Sequence, residues 1–237
     1  KEDFCFWEDE EGKYNLYDKS NILEADIQNQ DMPTEILSLL EDITNGNTKD
    51  MEYIMKWIGW KYLHPLSPMC SGLVLKGAQW NGKWHFVTLL QTIFGRIYTR
   101  VNISPDNFSS RFSSIDVHTL VCELSEQWET DNRILEKVST KLKTLVMQNE
   151  LQIEKKHRDL ETINNHTAFI ITSNEHNPLK LNTKEVGNRR WSFFEWNKIY
   201  DDAQWAKIRS VITDKVEVAN FLGYILVNWG TELKDMP

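Results

Sequence analysis

Hydrophobic positions divide the first quarter of the chain into an arm and two helices. Residues 1–33 alternate charged and aromatic side chains and predict a short β-rich or irregular arm. Apolar positions then recur at helical spacing over residues 34–44 and 49–63. Pro65 and Pro68 end the second pattern, because proline cannot continue a helix.

Beyond these prolines, short apolar strands alternate with helical patterns. The predicted strands cover residues 72–76, 117–122, 151–154, 167–173 and 191–196. The predicted helices cover residues 82–94, 130–147, 202–213 and 216–230. This alternation is typical of an α/β fold with a covered, largely parallel sheet.

Composition indicates an ordinary globular protein inside a cell. The hydrophobic content of 41% and charged content of 26% exclude a disordered chain. Three cysteines without CxxC spacing predict neither a disulfide framework nor a zinc site, and the six histidines show no metal-binding spacing. The apolar run at 221–227 is far shorter than the roughly 20 residues of a membrane span. We therefore expect a reducing compartment, no membrane partner and no metal held by side chains alone.

The acidic charge is confined to the start of the chain. The formal charge is −8, yet residues 1–52 hold 4 basic and 15 acidic side chains, and residues 53–237 are slightly positive at +3. The negative net charge of the whole chain therefore does not exclude nucleic acid as a partner of residues 53–237.

A glycine-containing turn lies between the strand at 72–76 and the next helix. Gly77, Gly82 and Lys83 form a G-x-x-x-x-G-K pattern with Asn81 inside it. In this context backbone N–H groups cradle phosphates and the lysine reaches the outer ones. Trp84 stands where a Ser or Thr hydroxyl would bind Mg²⁺, and an indole offers only an N–H donor. The alternative is an ordinary strand-to-helix turn with a surface lysine.

Acidic residues follow the second predicted strand. Glu123 comes directly after residues 117–122, and Glu126 lies three positions further on. In nucleotide hydrolases one acid at such a strand end holds Mg²⁺ and another polarises the attacking water. Cys122 occupies a position where an acid is expected. Single acids at strand ends are common, so this match has little weight by itself.

A basic segment and two polar positions complete the candidate chemistry. Residues 137–158 carry a local charge of +4, and a basic turn can track a phosphate backbone or form a solvated surface. Asn174 ends an apolar run and could orient a water near a phosphate or cap a turn. Arg189 and Arg190 precede an aromatic strand and could stabilise phosphate charge in a neighbouring subunit, or form surface ion pairs.

Taken in order, these features resemble the superfamily 3 helicases, and in particular the helicase-like C-terminal domain of phage and plasmid primase-polymerases. The resemblance covers about residues 49–230. It implies a P-loop NTPase fold of AAA+-like type with a small helical N-terminal segment. Its expected division is an acidic arm and helical collar at 1–66, a helicase-like core at 67–198 and a C-terminal helical lid at 199–237.

The resemblance also implies roles for individual residues. The nucleotide-binding set is Gly77, Asn81, Gly82, Lys83 and Trp84. The catalytic set is Glu123, Glu126, the sensor Asn174 and the arginine-finger candidates Arg189 and Arg190. A β-hairpin tip facing a central pore would bind DNA through Lys155, Lys156, His157 and Arg158. ATP and Mg²⁺ are the implied cofactors.

The implied function is a helicase-like module of a viral or mobile-element replication protein. It would act on single-stranded or primed DNA as a hexameric ring, in the host cytoplasm if the source is a virus. Because the chain starts at Lys1 without Met, we expect a fragment of a longer primase-polymerase. Trp84 and Cys122 remove two Mg²⁺ ligands and predict weak or absent ATP hydrolysis. The alternatives are an active NTP-dependent helicase in which Glu123 and Glu126 suffice, and a non-enzymatic protein-interaction module.

Overall fold

A five-stranded parallel sheet with helices on both faces organises the chain. The structure, a computed structural model, describes residues 17–29, 31–79, 81–109, 118–125, 131–154, 160–175, 178 and 190–235, and the backbone of Asp3–Cys5 and Lys13–Asn15. The described strands are β1 (Asp3–Cys5), β2 (Lys13–Asn15), β3 (Gly72–Lys76), β4 (Thr99–Ile103), β5 (Val121–Ser125), β6 (Glu150–Glu154), β7 (Leu160–Asn164), β8 (Ala168–Ser173) and β9 (Trp191–Glu195). The described α-helices are α1 (Thr34–Ile43), α2 (Thr48–Leu63), α3 (Lys83–Phe94), α4 (Pro105–Ser109), α5 (Asn132–Leu145), α6 (Asp202–Thr213) and α7 (Lys215–Trp229).

The strand order of the main sheet is β4-β5-β8-β3-β9, and every neighbouring pair is parallel. The carboxyl ends of β5, β8 and β3 therefore meet at one edge of the sheet. β6 and β7 form a separate antiparallel hairpin. The predicted parallel sheet and the predicted hairpin are both confirmed.

Two hydrophobic clusters cover the two faces of this sheet. Leu73 and Leu75 of β3 pack in one cluster, and Val74 between them packs in the other, because successive side chains of a strand point to opposite faces. The first cluster contains the buried sides of α1, α2, α3, α6 and α7. The second contains the buried side of α5 and part of the β6–β7 hairpin. Among the described helices, none has the length and apolarity needed to cross a bilayer.

Several elements differ from the predictions. The predicted strand at 117–122 is instead β5 at Val121–Ser125, and Glu123 lies inside it. β4, α4 and β7 are missing from the predicted strands and helices. β4 is an edge strand in which polar Arg100 and Asn102 alternate with β-branched residues, and it has an irregular register and a positive φ of 55° at Asn102.

Part of the acidic N-terminal arm is packed against the helices. The Leu23 N–H donates to Ile93 O at 2.8 Å, and the Asp26 N–H donates to Ala219 O at 2.9 Å. The Ala25 N–H donates to the Tyr62 hydroxyl at 3.0 Å. The segment from residue 17 to residue 29 thus runs along α2, α3 and α7 as part of the folded unit.

A buried lysine connects three parts of the fold. The Lys61 side chain near the end of α2 is fully buried and donates to the carbonyl oxygens of Pro65 (2.6 Å), Ser67 (3.3 Å) and His166. Burial lowers the pKa of Lys61 to about 7. Its ammonium holds the end of α2, the proline-containing turn and the β7–β8 connection together.

Candidate functional site

The turn between β3 and α3 is closed by two glycines that tolerate no side chain. Gly82 has a φ of 87°, and a Cβ there would lie 1.7 Å from the Trp205 ring of α6. A Cβ on Gly77 would lie 2.2 Å from both Asn81 Nδ2 and Trp196 O. Both positions therefore require glycine for space, and Gly82 requires it for its left-handed backbone as well.

Lys83, the first residue of α3, is held at the centre of this turn. Its Nζ atom lies 2.9 Å from Gly77 O, 2.9 Å from Ala78 O, 3.0 Å from Asn81 Oδ1 and 2.7 Å from Asn174 Oδ1. An ammonium has three hydrogens, so these four oxygens share its donors. Lys83 is thus folded back onto the loop and onto the residue that follows β8.

The environment of Lys83 makes its ammonium easier to deprotonate. Burial lowers the pKa of Lys83 from 10.5 to about 8. None of the four oxygens carries a formal charge that would compensate for lost hydration. A phosphate placed at this ammonium would supply that missing charge.

Asn81 attaches the turn to the neighbouring strand. It is 1% exposed, its Nδ2 donates to Trp196 O just beyond β9, and its Oδ1 accepts from Lys83. The Trp196 N–H in turn donates to Lys76 O at 2.8 Å. Asn81 thus fixes the loop with one end of its amide and orients the lysine with the other.

An aromatic layer from the C-terminal segment covers the turn. His85 of α3 stacks on Trp205 with ring centroids 4.2 Å apart and an angle of 11° between the planes. Trp205 also packs against Tyr200 at 4.5 Å and Trp196 at 6.3 Å. Burial lowers the pKa of His85, and Arg209 acts in the same direction. The imidazole is therefore neutral near pH 7.

Trp84 does not enter the core. Its side chain is 44% exposed in the first turn of α3, beside Lys83. The residue at the position expected to provide a metal-binding hydroxyl is thus a solvent-facing indole. It supplies no oxygen ligand.

Glu123 lies within β5, and its predicted position at a strand end is wrong. The side chain is 1% exposed; one oxygen accepts from the Thr172 hydroxyl and the other from the Asn102 N–H at 2.7 Å. Burial raises the pKa of Glu123, while these hydrogen bonds act in the opposite direction. Each carboxylate oxygen thus accepts one of these hydrogen bonds, and β5 ends at Ser125. The catalytic role of Glu123 stays a prediction.

Arg190 lies at the amino ends of the sheet strands, whereas the phosphate-loop candidate lies at their carboxyl ends. Its carbonyl accepts from the Gly72 N–H at 2.7 Å, at the amino end of β3. The loop begins after Lys76, about 13 Å further along β3 at 3.3 Å per residue. The backbone of Arg190 is therefore distant from the loop of the same chain, and its arginine-finger role stays a prediction.

Several predicted site residues lie outside the described residues. They are Glu126, Lys155, Lys156, His157, Arg158 and Arg189. The hairpin that the basic tip would close is described on both sides of that tip, as β6 and β7. The assigned roles of these six residues stay predictions.

Sequence reasoning missed the partners that shape the site. Trp205 and His85 enclose Gly82, and Thr172 with Asn102 binds Glu123. Neither Thr172 nor Asn102 belongs to a sequence pattern that includes Glu123, so the sequence carried no signal of these contacts. The tryptophan on α6 is distant in sequence and carried no signal.

Comparison with known proteins places the predicted site within one matched segment. Residues 75–190 match the model of a protein family of unknown function, DUF5906. This segment begins in β3 and contains every predicted site residue from Gly77 to Arg190.

The chain is also similar to a phage replication protein. It is 27% identical over 200 residues to the DNA primase-polymerase of Nitratiruptor phage NrS-1, and the aligned part covers 84% of this chain and 27% of that protein. The chain thus spans about a quarter of that relative. These values support homology with the NrS-1 protein, as the resemblance to phage primase-polymerases implied.

Two solved structures have the same fold. One apo structure of the NrS-1 C-terminal region superposes with a TM-score of 0.73 at 24% identity, covering 92% of this chain and 51% of that chain. Another has a TM-score of 0.72 at 23% identity and covers 94% and 57%. The mixed α/β fold with a parallel sheet is therefore shared with that region.

Proposed function

We propose that this chain is the helicase-like module of a viral DNA replication protein, with a P-loop core of AAA+-like type. The module would form a ring, bind single-stranded or primed DNA and hydrolyse ATP weakly or not at all. The NrS-1 relative is a DNA primase-polymerase, and we extend a priming and polymerising parent protein to this chain as part of the proposal.

The contact between Lys83 and Asn174 carries this proposal. A phosphate-loop lysine and a sensor residue must both reach the terminal phosphate, so they must lie together beyond the strand ends. Lys83 Nζ and Asn174 Oδ1 are 2.7 Å apart, although 91 positions separate the residues. Ligands of open α/β sheets bind in this place, outside the carboxyl ends of the strands.

The proposal of weak hydrolysis rests on the residues found at the two positions where Mg²⁺ ligands are expected, Trp84 and the Cys122–Glu123 pair. Trp84 offers no oxygen, and the Glu123 oxygens are bound to Thr172 and Asn102. Mg²⁺ requires near-octahedral oxygen coordination and gives up its water reluctantly. Phosphate binding without efficient cleavage is the expected result.

The first test separates nucleotide binding from turnover. Binding of a fluorescent ATP analogue and steady-state ATPase activity are measured with and without DNA, for the unaltered chain and for Lys83→Ala. We expect binding that requires Lys83 and turnover near background. Robust turnover that depends on Lys83 would contradict the impaired hydrolysis.

One observation favours the alternative of an active helicase. Since β5 ends at Ser125, Glu126 is the next residue in the chain after the strand end. That position in the sequence is where a metal-binding or water-polarising acid is expected. If turnover is found, Glu126→Gln should abolish it.

The second test concerns DNA. Lys156→Ala/His157→Ala is compared with the unaltered chain for affinity toward a labelled oligothymidylate, and sedimentation velocity reports whether a ring forms. We expect weaker binding in the variant. Unchanged DNA affinity would favour the protein-interaction module instead.

A further inference from the structure

We propose that the outer face of α5 is a second binding surface for a nucleic-acid backbone, distinct from the hairpin tip. The proposal deepens the proposed function, because it assumes that DNA is the partner. It assigns the phosphate contacts to Arg133 and Lys137. Lys141, on the same side of the helix, adds positive charge and is anchored on Phe108.

The helix α5 divides into a buried face and a basic face. Val138 and Leu142 are fully buried in the second hydrophobic cluster. Arg133, Lys137 and Lys141 follow one another at spacings of four residues and therefore lie along one side of the helix. At 1.5 Å per residue these three cations extend over about 12 Å. That length corresponds to three or four phosphates of one stacked strand, at about 3.4 Å each.

This basic face borders an open groove of about 680 Å³. Its lining residues are Arg133, Glu136, Lys137, Thr140, Lys141, Thr144 and Leu145. Among the described lining residues three cations face one acid, and Thr140 and Thr144 are exposed, with the Thr144 hydroxyl donating to Thr140 O at 3.2 Å. The lining offers donors and positive charge, which is the chemistry that a chain of phosphates requires.

Lys141 lines the groove and is fixed by contacts with Phe108. Its Nζ donates to Phe108 O at 2.8 Å and lies 4.8 Å from the centre of the Phe108 ring. Burial lowers the pKa of Lys141. Arg133 and Lys137 are exposed, and neither forms an ion pair with another described residue. These two side chains are therefore available to a ligand.

The groove lies on the same side of the sheet as the β6–β7 hairpin. Leu151 of β6 and Ile163 of β7 share a hydrophobic cluster with Leu142 of α5. A strand bound at the hairpin could thus continue along α5. Since none of the described residues that line the groove is aromatic, contacts with them would be to phosphate and independent of base sequence.

The test measures the affinity of the full chain for a labelled oligothymidylate at several salt concentrations. Arg133→Gln/Lys137→Gln should weaken binding about tenfold near 0.1 M salt and reduce the salt slope by about 1.4, or 0.7 for each lost phosphate contact. Lys49→Gln/Lys215→Gln removes the same charge from other exposed positions and should change neither value. Arg133→Lys/Lys137→Arg should retain binding.

Three other outcomes are possible, and each would overturn a different part of the proposal. If Lys156→Ala/His157→Ala weakens binding and Arg133→Gln/Lys137→Gln does not, the α5 surface is overturned and DNA binding by the proposed module stands. If polyglutamate competes as well as the oligonucleotide at equal charge, the surface binds acidic polymers generally and its assignment to nucleic acid fails. If the unaltered chain binds no oligonucleotide, both DNA assignments fail, while Lys83-dependent nucleotide binding still tests the phosphate loop separately.

Discussion

Lys83 Nζ donates to Asn174 Oδ1 over 2.7 Å and so joins the first residue of α3 to the residue that follows β8. The contact exists because β3 and β8 are adjacent parallel strands, with Lys76 paired to Ser173 at their carboxyl ends. The lysine that would bind a phosphate is therefore already bound to the residue that would sense it. A ligand must exchange these contacts for its own.

The first prediction concerns this exchange. Asn174→Asp places a carboxylate beside Lys83, which holds the ammonium more strongly and repels an incoming phosphate. We expect the affinity for an ATP analogue to fall about tenfold or more, equivalent to about 1.4 kcal/mol. Titration of a fluorescent analogue measures it, with Asn228→Asp on the exposed side of α7 as the control of equal charge. Equal affinities of the two variants would contradict a site at Lys83.

The second prediction is a loss of phosphate affinity above pH 8. The pKa of free Lys83 is about 8, and a bound phosphate favours the charged ammonium and raises that pKa. Affinity should therefore be constant below pH 8 and fall by up to about tenfold per pH unit above it. Titrations between about pH 7.5 and 9.5 avoid the last ionisation of the phosphate itself. Lys83→Arg stays charged over this range and should give a flat profile; a parallel fall in both proteins would contradict the prediction.

The third prediction concerns Gly82. Gly82→Ala combines a left-handed backbone with a clash against Trp205, so the free energy of unfolding should fall by about 2–4 kcal/mol. Gly46→Ala is the matched control, because Gly46 has a φ of 76° and no atom within 4 Å of an added Cβ. That variant should lose only about 1 kcal/mol. Equal losses in urea denaturation would show that Trp205 does not restrict the loop.

The fourth prediction concerns Lys61. Lys61→Met leaves the buried carbonyls of Pro65, Ser67 and His166 without their donor, and should lower the free energy of unfolding by about 3 kcal/mol. Urea denaturation of both proteins measures it. A variant as stable as the unaltered chain would contradict the role of the ammonium as a connector.

The same residue predicts a pH dependence. The folded pKa of about 7 lies below the unfolded value of 10.5, so the folded state binds fewer protons between these pH values. The contribution of Lys61 to stability is therefore least favourable below pH 7 and improves as the pH rises. Between pH 7 and 9 the unaltered chain should gain about 2 kcal/mol relative to Lys61→Met. A constant difference between the two proteins would contradict this.

The fifth prediction separates the two acids. Glu123→Gln keeps an oxygen for the Asn102 N–H and a donor for the Thr172 hydroxyl, so the free energy of unfolding should change by less than about 1 kcal/mol. Glu123→Ala leaves both partners unpaired and should cost about 3 kcal/mol. Any residual ATPase activity should survive Glu123→Gln and be lost in Glu126→Gln. Loss of activity in a stable Glu123→Gln variant would contradict this and support the catalytic role of Glu123.

Local patterns in the sequence predicted most elements because each reports a local physical preference. The boundaries of α2, β3, α3 and α6 agree with the predictions to within one residue. The predicted bounds of β5 are wrong, because a charged residue usually marks the end of a buried strand and Glu123 lies inside this one. Glu123 is accommodated inside the sheet by Thr172 and Asn102, and the sequence gives no indication of either contact.

The sequence by itself determined the alternation of strands and helices, the loop pattern around Lys83 and the change of its usual metal-binding position to Trp84. Those properties depend on residue type and spacing along the chain. Only the tertiary structure decided that Lys83 meets Asn174, that Trp205 closes over Gly82 and that Glu123 is buried rather than at a strand end. These relationships join residues between 49 and 123 positions apart, and the order of strands in the sheet, not the local sequence, brings such residues together.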